Sequence, residues 1–142
     1  KIKKQVQKSK ENFSNNFLVE EMQPEPLGEL LVGIFYDLQF GYVMTLASGG
    51  VLANLIEDSV TILLPTSIHE LDKSLGRLKI NKLFQGYRGK KEINRTLLLG
   101  NLKKLTDFAL DKSNNVQQIE INPLFVFPEK NIAVDGIIWK NE

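Results

Sequence analysis

Two segments near the end of the chain decide the fold, Gln118-Ile-Glu-Ile-Asn122 and Ala133-Val-Asp-Gly-Ile137. In both segments apolar and polar side chains alternate with the period of two that is typical of a β-strand. The short connection Pro128-Glu-Lys-Asn131 lies between them and suits a turn. We therefore predict a β-hairpin whose strands cover residues 116–121 and 132–138.

Four further strands and two helices are predicted upstream of this hairpin. The strands cover residues 17–22, 29–36, 42–47 and 60–64, which are separated by turn-rich segments. Ser67-Ile-His-Glu70 has the form of a capping box and begins the first helix, and apolar side chains at helical spacing mark a second helix over residues 92–110. This order of elements predicts an α+β fold, in which a mainly antiparallel sheet has two helices packed on one face.

The composition narrows the class of protein. The 142 residues are 42% hydrophobic and 25% charged with a formal net charge of +1, which is typical of one globular domain. The absence of Cys excludes disulfides, thiol catalysis and Cys-ligated metals, and the single His69, expected to be exposed, excludes a multi-His site. The longest apolar run, residues 30–36, is far shorter than the ~18 residues of a membrane span, so we expect no membrane partner.

The first residues differ from the rest in charge. Five of the first ten are Lys, but no aromatic or Arg side chain is interleaved with them. This favours a basic helix end or linker over residues 1–11 and no nucleic-acid partner. The sequence starts without Met or an apolar export signal. We expect residues 12–142 to form the folded lobe, as a fragment of a longer cytoplasmic protein.

Candidate metal ligands lie in the predicted hairpin. If its turn centres near Glu129, Asn122 and Asp135 are opposed or diagonal neighbours across the two strands. Their oxygen atoms could share a hard cation, and Mg²⁺ suits so sparse a site because it keeps several waters and completes its shell with substrate phosphates. The alternative is that Asn122-Pro123 only bends a strand and that Asp135 is solvated.

Two glycine-containing segments are candidates for contact with phosphate. Gly86-Tyr-Arg-Gly89 lies between the helices and could present Arg88, whose guanidinium group suits bidentate phosphate contacts. The alternative there is a turn with a surface Arg. Ser48-Gly49-Gly50 could form an anion-binding nest, or only allow a sharp bend. Asp37 suits a plain hairpin turn.

Taken in order, these segments resemble the ATP-grasp domain of ADP-forming (NDP-forming) acyl-CoA synthetases, and more distantly the succinyl-CoA synthetase β chain. The resemblance covers residues 12–140 and rests on the ordered set of segments. The matching segments are Glu20-Glu-Met22, Glu29-Leu-Leu-Val-Gly33, Asp37-Leu-Gln-Phe-Gly41, Gly49-Gly50, Asp58, Leu64-Pro65, Leu83-Phe-Gln-Gly-Tyr-Arg-Gly89, Glu120-Ile-Asn-Pro-Leu124 and Val134-Asp135.

The resemblance implies a role for each candidate residue. The chain would be the C-terminal lobe of an ATP-grasp domain, which holds the nucleotide between two α+β lobes. The resemblance implies that the hinge residues Val19, Glu20, Glu21 and Met22 give backbone hydrogen bonds to adenine and that Glu29 lies near the ribose hydroxyls. Gly49 and Gly50 would belong to the phosphate loop region, and Arg88 would have a catalytic place close to the phosphates. Asn122 and Asp135 would be magnesium ligands, with Glu120 beside them.

The activity implied by the resemblance is that of an acid–CoA ligase. Acid, CoA and ATP become acyl-CoA, ADP and phosphate in a reversible reaction, and a phosphoryl group passes between acyl phosphate, a histidine and the nucleotide. ATP or ADP and Mg would bind to this lobe, whereas CoA and the carboxylic acid would bind through other domains or subunits of the same synthetase. We therefore expect the isolated fragment to be inactive.

Three positions depart from the family pattern. Asn54 stands where the family has Glu, which removes a carboxylate from the phosphate loop region, and Tyr42 and Ala47 replace the usual Pro and Gly. Asn54 favours an alternative function, a non-catalytic ATP-grasp-like regulatory module of the kind fused to acetyltransferases. A third hypothesis is a degenerate lobe that serves only in subunit contact.

Overall fold

The computed structural model describes residues 19–50 and 57–141, and in these ranges six strands and three α-helices follow one another. The elements are β1 (Gly28–Asp37), β2 (Gly41–Ser48), β3 (Ser59–Leu63), α1 (Ile68–Arg77), α2 (Asn81–Phe84), α3 (Arg95–Leu110), a 3-10 turn (Lys112–Asn114), β4 (Val116–Val126), β5 (Asn131–Ala133) and β6 (Gly136–Lys140). The predicted α+β class is confirmed.

The six strands form one antiparallel sheet. Their order is β3-β2-β1-β4-β5, and β6 also pairs with β4. β5 lies opposite residues 124–126 of β4 and β6 lies opposite residues 116–121, so the two short strands share the outer side of β4. Central β1 therefore has β2 on one side and β4 on the other, and it connects the two parts of the sheet that carry the candidate residues.

A tight turn organised by Asp37 joins β1 to β2. Oδ1 of Asp37 accepts hydrogen bonds from the N–H groups of Gln39 (2.8 Å) and Phe40 (2.9 Å), and Gly41 has a φ of +74°. A glycine suits this left-handed conformation because it has no Cβ. The predicted hairpin turn is confirmed, and its register brings the start of β1 beside the end of β2.

The helices α1 and α3 pack on one face of the sheet. Ser67 caps α1 by accepting a hydrogen bond from the Glu70 N–H (3.1 Å), and Asn94 caps α3 in the same way through Leu97 (3.0 Å). Fully buried apolar side chains from both layers form the core: Leu30, Val32, Ile34, Met44, Leu46, Leu71, Leu75, Leu98 and Leu102. No helix in the described ranges is long and apolar enough to cross a membrane.

The other face of the sheet carries polar candidates. Strand register aligns Thr45, Gly33 and Glu120 across β2, β1 and β4, and all three are only partly buried. Glu29 lies four residues before Gly33 on the same strand and therefore on the same face. This face, opposite the helices, is where the candidate residues of β1 and β4 meet.

β4 changes its register with β1 at Asn122 and Pro123. Leu30 pairs with Leu124 and Val32 pairs with Ile121, so Leu31 alone faces two residues of β4. This is a β-bulge, a feature that bends a strand and changes the direction of its side chains. The peptide bond between Asn122 and Pro123 is cis.

β4 continues to Val126, past the predicted end at residue 121, and three further details differ from the predicted elements. The strand over residues 17–22 is wrong in its described part, because residues 19–22 form no ladder and both sides of β1 are already occupied. The one-turn helix α2 was not expected between the longer helices. The outer strand of the last hairpin is divided into β5 and β6. The boundary at residues 11 and 12 lies outside the described residues and stays a prediction.

Candidate functional site

A pocket of about 740 Å³ opens where the start of β1, the end of β2 and the segment between α1 and α2 meet. We call it the glycine-pair pocket, because Gly49 and Gly50 form part of its wall. Its apolar side consists of Pro26, Leu27, Ile80, Leu83 and Tyr87, and its polar side includes Glu25, Glu29, Ser48, Asp58, Lys79 and Lys82. Such a surface suits a ligand with an apolar part and a charged part.

Glu29 and the glycine pair are in direct contact. The Gly49 N–H donates a hydrogen bond to the Glu29 carbonyl oxygen (2.7 Å), so this N–H is already used and does not serve an anion-binding nest. A Cβ at position 49 would lie 3.0 Å from Cβ and 3.1 Å from the carbonyl carbon of Glu29. Gly50 has a φ of +87°, and Oε2 of Glu29 lies 3.2 Å from the position of a Cβ there. The glycines thus permit close approach to Glu29.

Asp58 connects two walls of the glycine-pair pocket. Its carboxylate accepts hydrogen bonds from Ser48 Oγ, the Lys79 N–H (2.7 Å) and the Ile80 N–H (3.0 Å), and the residue is only 6% exposed. Burial raises the pKa of the Asp58 carboxyl group, but the hydrogen bonds and the nearby Lys79 charge together lower it more, so the pKa lies below its ordinary value. The carboxylate is therefore charged at neutral pH.

The charged groups of this pocket do not by themselves favour an anion. Lys79 and Lys82 contribute two positive charges, and three carboxylates, those of Glu25, Glu29 and Asp58, contribute negative charges. A polyphosphate in this pocket would need further positive charge, which divalent cations supply in phosphoryl-transfer sites.

A second cavity of about 100 Å³ lies on the hairpin of β4 and β6. We call it the hairpin cavity, and it is lined by Glu120, Asn122, Asp135, Gly136 and Ile137. The Asn122 N–H donates a hydrogen bond to the Asp135 carbonyl oxygen (3.0 Å), so the two residues are neighbours across the hairpin, as predicted. The β-bulge at Asn122 lies directly beside this cavity.

The donor atoms of the hairpin cavity fit a hard divalent cation. Glu120 and Asp135 offer carboxylate oxygens and Asn122 offers an amide oxygen, which are ligands of Mg²⁺ and Ca²⁺. These three side chains make no hydrogen bond to other described residues. Within residues 19–50 and 57–141, no three His, Cys, Asp or Glu side chains are grouped to hold a metal. A cation here would complete its shell with water or with oxygen atoms of a ligand.

The two sites are neighbours on the same sheet. The bulge at Asn122 faces Leu31, which is two residues from Glu29 along β1. With ~3.4 Å per residue and ~4.8 Å between strands, the backbones of Glu29 and Asn122 are roughly 8 Å apart. One extended ligand can therefore reach from the glycine-pair pocket to the hairpin cavity.

Arg88 lies beside the glycine-pair pocket rather than in its wall. It is exposed in a turn closed by the Lys90 N–H and the Tyr87 carbonyl oxygen (3.2 Å), and both Arg88 and Gly89 have a positive φ, +50° and +79°. The Arg88 guanidinium carbon lies 5.3 Å from the centre of the Tyr87 ring, and Tyr87 lines the pocket. The cation–π contact therefore holds the Arg88 guanidinium group against a residue of the pocket wall.

The predicted hinge residues lie outside both cavities. The side chains of Val19, Glu20, Glu21 and Met22 are exposed, and the backbone of residues 19–22 makes no hydrogen bond within the described part of the chain. His69 is exposed, as predicted, and Asn54 lies outside the described residues.

Reasoning from the sequence missed several residues of the pocket wall. Lys79 follows α1 and Lys82 lies in the one-turn helix α2, where the sequence has no strand or helix periodicity, so no pattern places them near Glu29. Asp58 and Tyr87 belong to the family resemblance, but no role was assigned to them. The sequence signal that could have identified Asp58 is the position of this charged residue directly before a segment typical of a β-strand.

Comparison with known proteins gives a consistent result. A sequence profile of the ATP-grasp domain matches residues 1–139. The beta subunit of ADP-forming acetate–CoA ligase I from Pyrococcus furiosus is 30% identical over 112 residues, which are 78% of this chain and 48% of that subunit. The ADP-forming acetate–CoA ligase of Methanocaldococcus jannaschii is 29% identical over 113 residues, 80% of this chain and 16% of that protein. The chain spans less than half the length of these relatives.

Solved structures share the fold. A dinucleotide-forming acetyl-coenzyme A synthetase 1 of Ca. Korarchaeum cryptofilum, in complex with coenzyme A and Mg-AMPPCP, has a TM-score of 0.75 at 23% identity, over 84% of this chain and 55% of that chain. The protein PH1788 of Pyrococcus horikoshii has a TM-score of 0.73 at 20% identity, over 85% of this chain and 51% of its own. At these identities the likeness concerns the fold alone.

Proposed function

The chain belongs to the ATP-grasp family, and from this premise we propose that it is the nucleotide- and magnesium-binding lobe of an ADP-forming acid–CoA ligase. The observation that supports this most strongly is the convergence of two groups of residues on one part of the sheet. Glu29, Gly49 and Gly50 line the glycine-pair pocket, and the hairpin cavity with Asn122 and Asp135 lies next to it.

The proposed nucleotide site extends from the hinge to the glycine pair. The backbone groups of residues 19–22 would give hydrogen bonds to adenine, and the Glu29 carboxylate would accept hydrogen bonds from the ribose hydroxyls. Gly49 and Gly50 would allow the phosphates to approach the end of β2 closely. Arg88, beside the opening, would contribute a charge to the phosphates without lining the pocket itself.

The proposed metal site is the hairpin cavity. Asn122 and Asp135, with Glu120 beside them, would hold Mg²⁺ through oxygen ligands, and their side chains make no competing hydrogen bond to the described residues. When bound, Mg²⁺ neutralises phosphate charge and helps to orient the phosphoryl group. The two lysines and three carboxylates of the glycine-pair pocket do not compensate the negative charge of the phosphates, which supports a role for a cation.

The ligase activity concerns the protein that carries this lobe. Curated relatives are named as ADP-forming ligases of acetate and of 4-hydroxybutyrate, so the proposed substrate class is a small carboxylic acid. CoA and the acid would bind to other domains or subunits, and the P. furiosus relative is itself one subunit. The regulatory alternative and the cytoplasmic localisation stay predictions.

A titration of the ¹⁵N-labelled chain with Mg-ATP, followed by NMR, tests the proposal. We expect shifts of the Glu29, Gly49 and Gly50 amides, and additional shifts of the Asn122 and Asp135 amides that need Mg²⁺. Because one lobe buries only one side of the ligand, the dissociation constant should be weaker than about 0.1 mM.

ATP with EDTA is the matched control for the metal. Without Mg²⁺, the shifts at Asn122 and Asp135 should disappear. Shifts confined to residues of α3, or hairpin shifts of equal size with and without Mg²⁺, would contradict the proposed site.

A further inference from the structure

The carboxylate of Asp58 accepts three hydrogen bonds beside the glycine-pair pocket. Both of its oxygens accept hydrogen bonds, Oδ1 from the Lys79 N–H and Oδ2 from Ser48 Oγ and the Ile80 N–H. Its carbonyl oxygen accepts a further hydrogen bond from the Ser48 N–H (2.9 Å). Asp58 thus holds Ser48 through both its backbone and its side chain.

The partners of Asp58 belong to two separate walls. Ser48 ends β2 and directly precedes the glycine pair, whereas Lys79 and Ile80 lie between α1 and α2. These partners are 10, 21 and 22 residues away from Asp58 in the sequence. A buried carboxylate that joins two distant segments fixes their separation, since each bond restricts one wall relative to the other.

The contact network continues to Glu29. The Gly49 N–H, next to Ser48, donates to the Glu29 carbonyl oxygen, and the Glu29 carboxylate lies against Gly50. A shift of Ser48 would therefore move the glycine pair relative to Glu29. On the opposite wall, a shift of Lys79 would move its side chain, which also lines the pocket.

We propose that Asp58 is a positioning residue, which holds the glycine pair and the Lys79 wall at the separation that a phosphate-bearing ligand requires. This inference rests on the proposed nucleotide site. Asp58 itself is nearly buried under its hydrogen bonds, so its effect on a ligand passes through Gly49, Gly50 and Lys79. The phosphate end of the ligand should depend on Asp58, and the adenosine end should not.

The variant Asp58→Asn tests this inference in the complete 142-residue chain. The amide keeps the shape of the carboxylate but points an NH₂ group at one of the former donors. We expect the affinity for tripolyphosphate in the presence of Mg²⁺ to fall about tenfold, equivalent to ~1.4 kcal/mol, although the variant also removes one negative charge from the pocket, while the affinity for adenosine is unchanged. NMR titrations at millimolar concentrations measure both constants. An equal loss for both probes, or no loss for either, would overturn the inference.

Asp111→Asn is the matched control. Asp111 also accepts two hydrogen bonds from its neighbour Ser113, and these lower its pKa, but it is exposed and lies outside the pocket. This variant should bind both probes like the unmodified chain. If Asp58→Asn does not fold, Ser48→Ala removes only one of the hydrogen bonds and should give the same selective loss with smaller size.

Hydrogen exchange in the ligand-free chain separates this inference from the proposed function. In Asp58→Asn, the Gly49 amide should exchange about tenfold faster although it does not bond to Asp58, while amides of α3 are unchanged. If the unmodified chain bound no Mg-ATP, the proposed function would fail, and faster exchange of Gly49 would still support the positioning role. Unchanged exchange of Gly49 would overturn it.

Discussion

The glycine-pair pocket and the hairpin cavity lie side by side on one sheet, but different interactions hold them. In the pocket, hydrogen bonds join residues that are far apart in the sequence, such as Asp58 and Ile80. In the cavity, the backbone pairing of one hairpin brings Asn122 and Asp135 together, and their side chains make no hydrogen bond to the described residues.

Because of this difference, substitutions at the two sites should affect stability and ligand binding differently. A wall that is already fixed by hydrogen bonds needs little reorganisation when a ligand arrives, but it cannot be altered without disturbing the packing around it. Exposed side chains such as Asn122 and Asp135 contribute little to the folded state. We therefore expect substitutions in the hairpin cavity to change chemistry alone, and substitutions in the glycine-pair pocket to change stability as well.

The largest expected effect is that of Asp135→Asn on catalysis. The change removes a formal charge from the proposed metal site and keeps the side-chain shape. The loss should be about 2–4 kcal/mol of transition-state stabilisation, or roughly 30- to 1000-fold in rate, with an unchanged melting temperature. An assay of acyl-CoA formation in the protein that carries this lobe, with its partner domains or subunits, measures the rate.

Asp107→Asn is the control for the removal of an acidic charge. Asp107 lies on α3, where it is paired with Lys103 and exposed. An exposed ion pair contributes little to stability, so neither rate nor melting temperature should change appreciably. A normal rate for Asp135→Asn, or an equal loss for both variants, would contradict the metal assignment.

Gly49→Ala should have the next largest effect, and it acts on the pocket. The new Cβ would lie 3.0 Å from the Glu29 Cβ and 3.1 Å from its carbonyl carbon, and this backbone cannot move without distorting β1. We expect a destabilisation of about 1–3 kcal/mol, the range for overpacked sites, measured by urea denaturation.

Gly33→Ala is the matched control for this substitution. It lies on the same strand as Glu29, but a Cβ at position 33 meets nothing within 4 Å. Alanine restricts the unfolded chain more than glycine does, so this variant should be unchanged or up to ~1 kcal/mol more stable. If the two variants had equal stability, close approach to Glu29 would not explain the glycine at position 49.

The two sites also differ in how far the sequence predicts them. Alternation of side chains and a short turn were enough to bring Asn122 and Asp135 together, because hairpin pairing is local. The pocket depends on the packing of α2 and Ile80 against the start of β1, which no periodicity reveals, and so Lys79 and Asp58 were missed as wall residues.

Regular elements were predicted better than their ends. Apolar segments separated by turn-rich sequence identified β1 and β2, and the capping box at Ser67 identified the start of α1. The apolar residues near position 19 resembled a strand, but no strand partner remained beside β1. β-propensity alone therefore did not determine that segment, since a strand also has to pair with a neighbouring strand.

The smallest expected effect is that of substituting Arg88, which should change both stability and ligand affinity slightly. Its φ of +50° costs an L-residue about 1–2 kcal/mol, whereas glycine avoids this cost but loses more conformational entropy on folding. Arg88→Gly should thus gain at most ~1 kcal/mol of stability. Mg-ATP affinity, measured by NMR titration, should fall a few-fold in Arg88→Gly and equally in Arg88→Asn, which tolerates this φ, because both lose the charge. Unchanged affinity in both would identify Arg88 as a turn residue only.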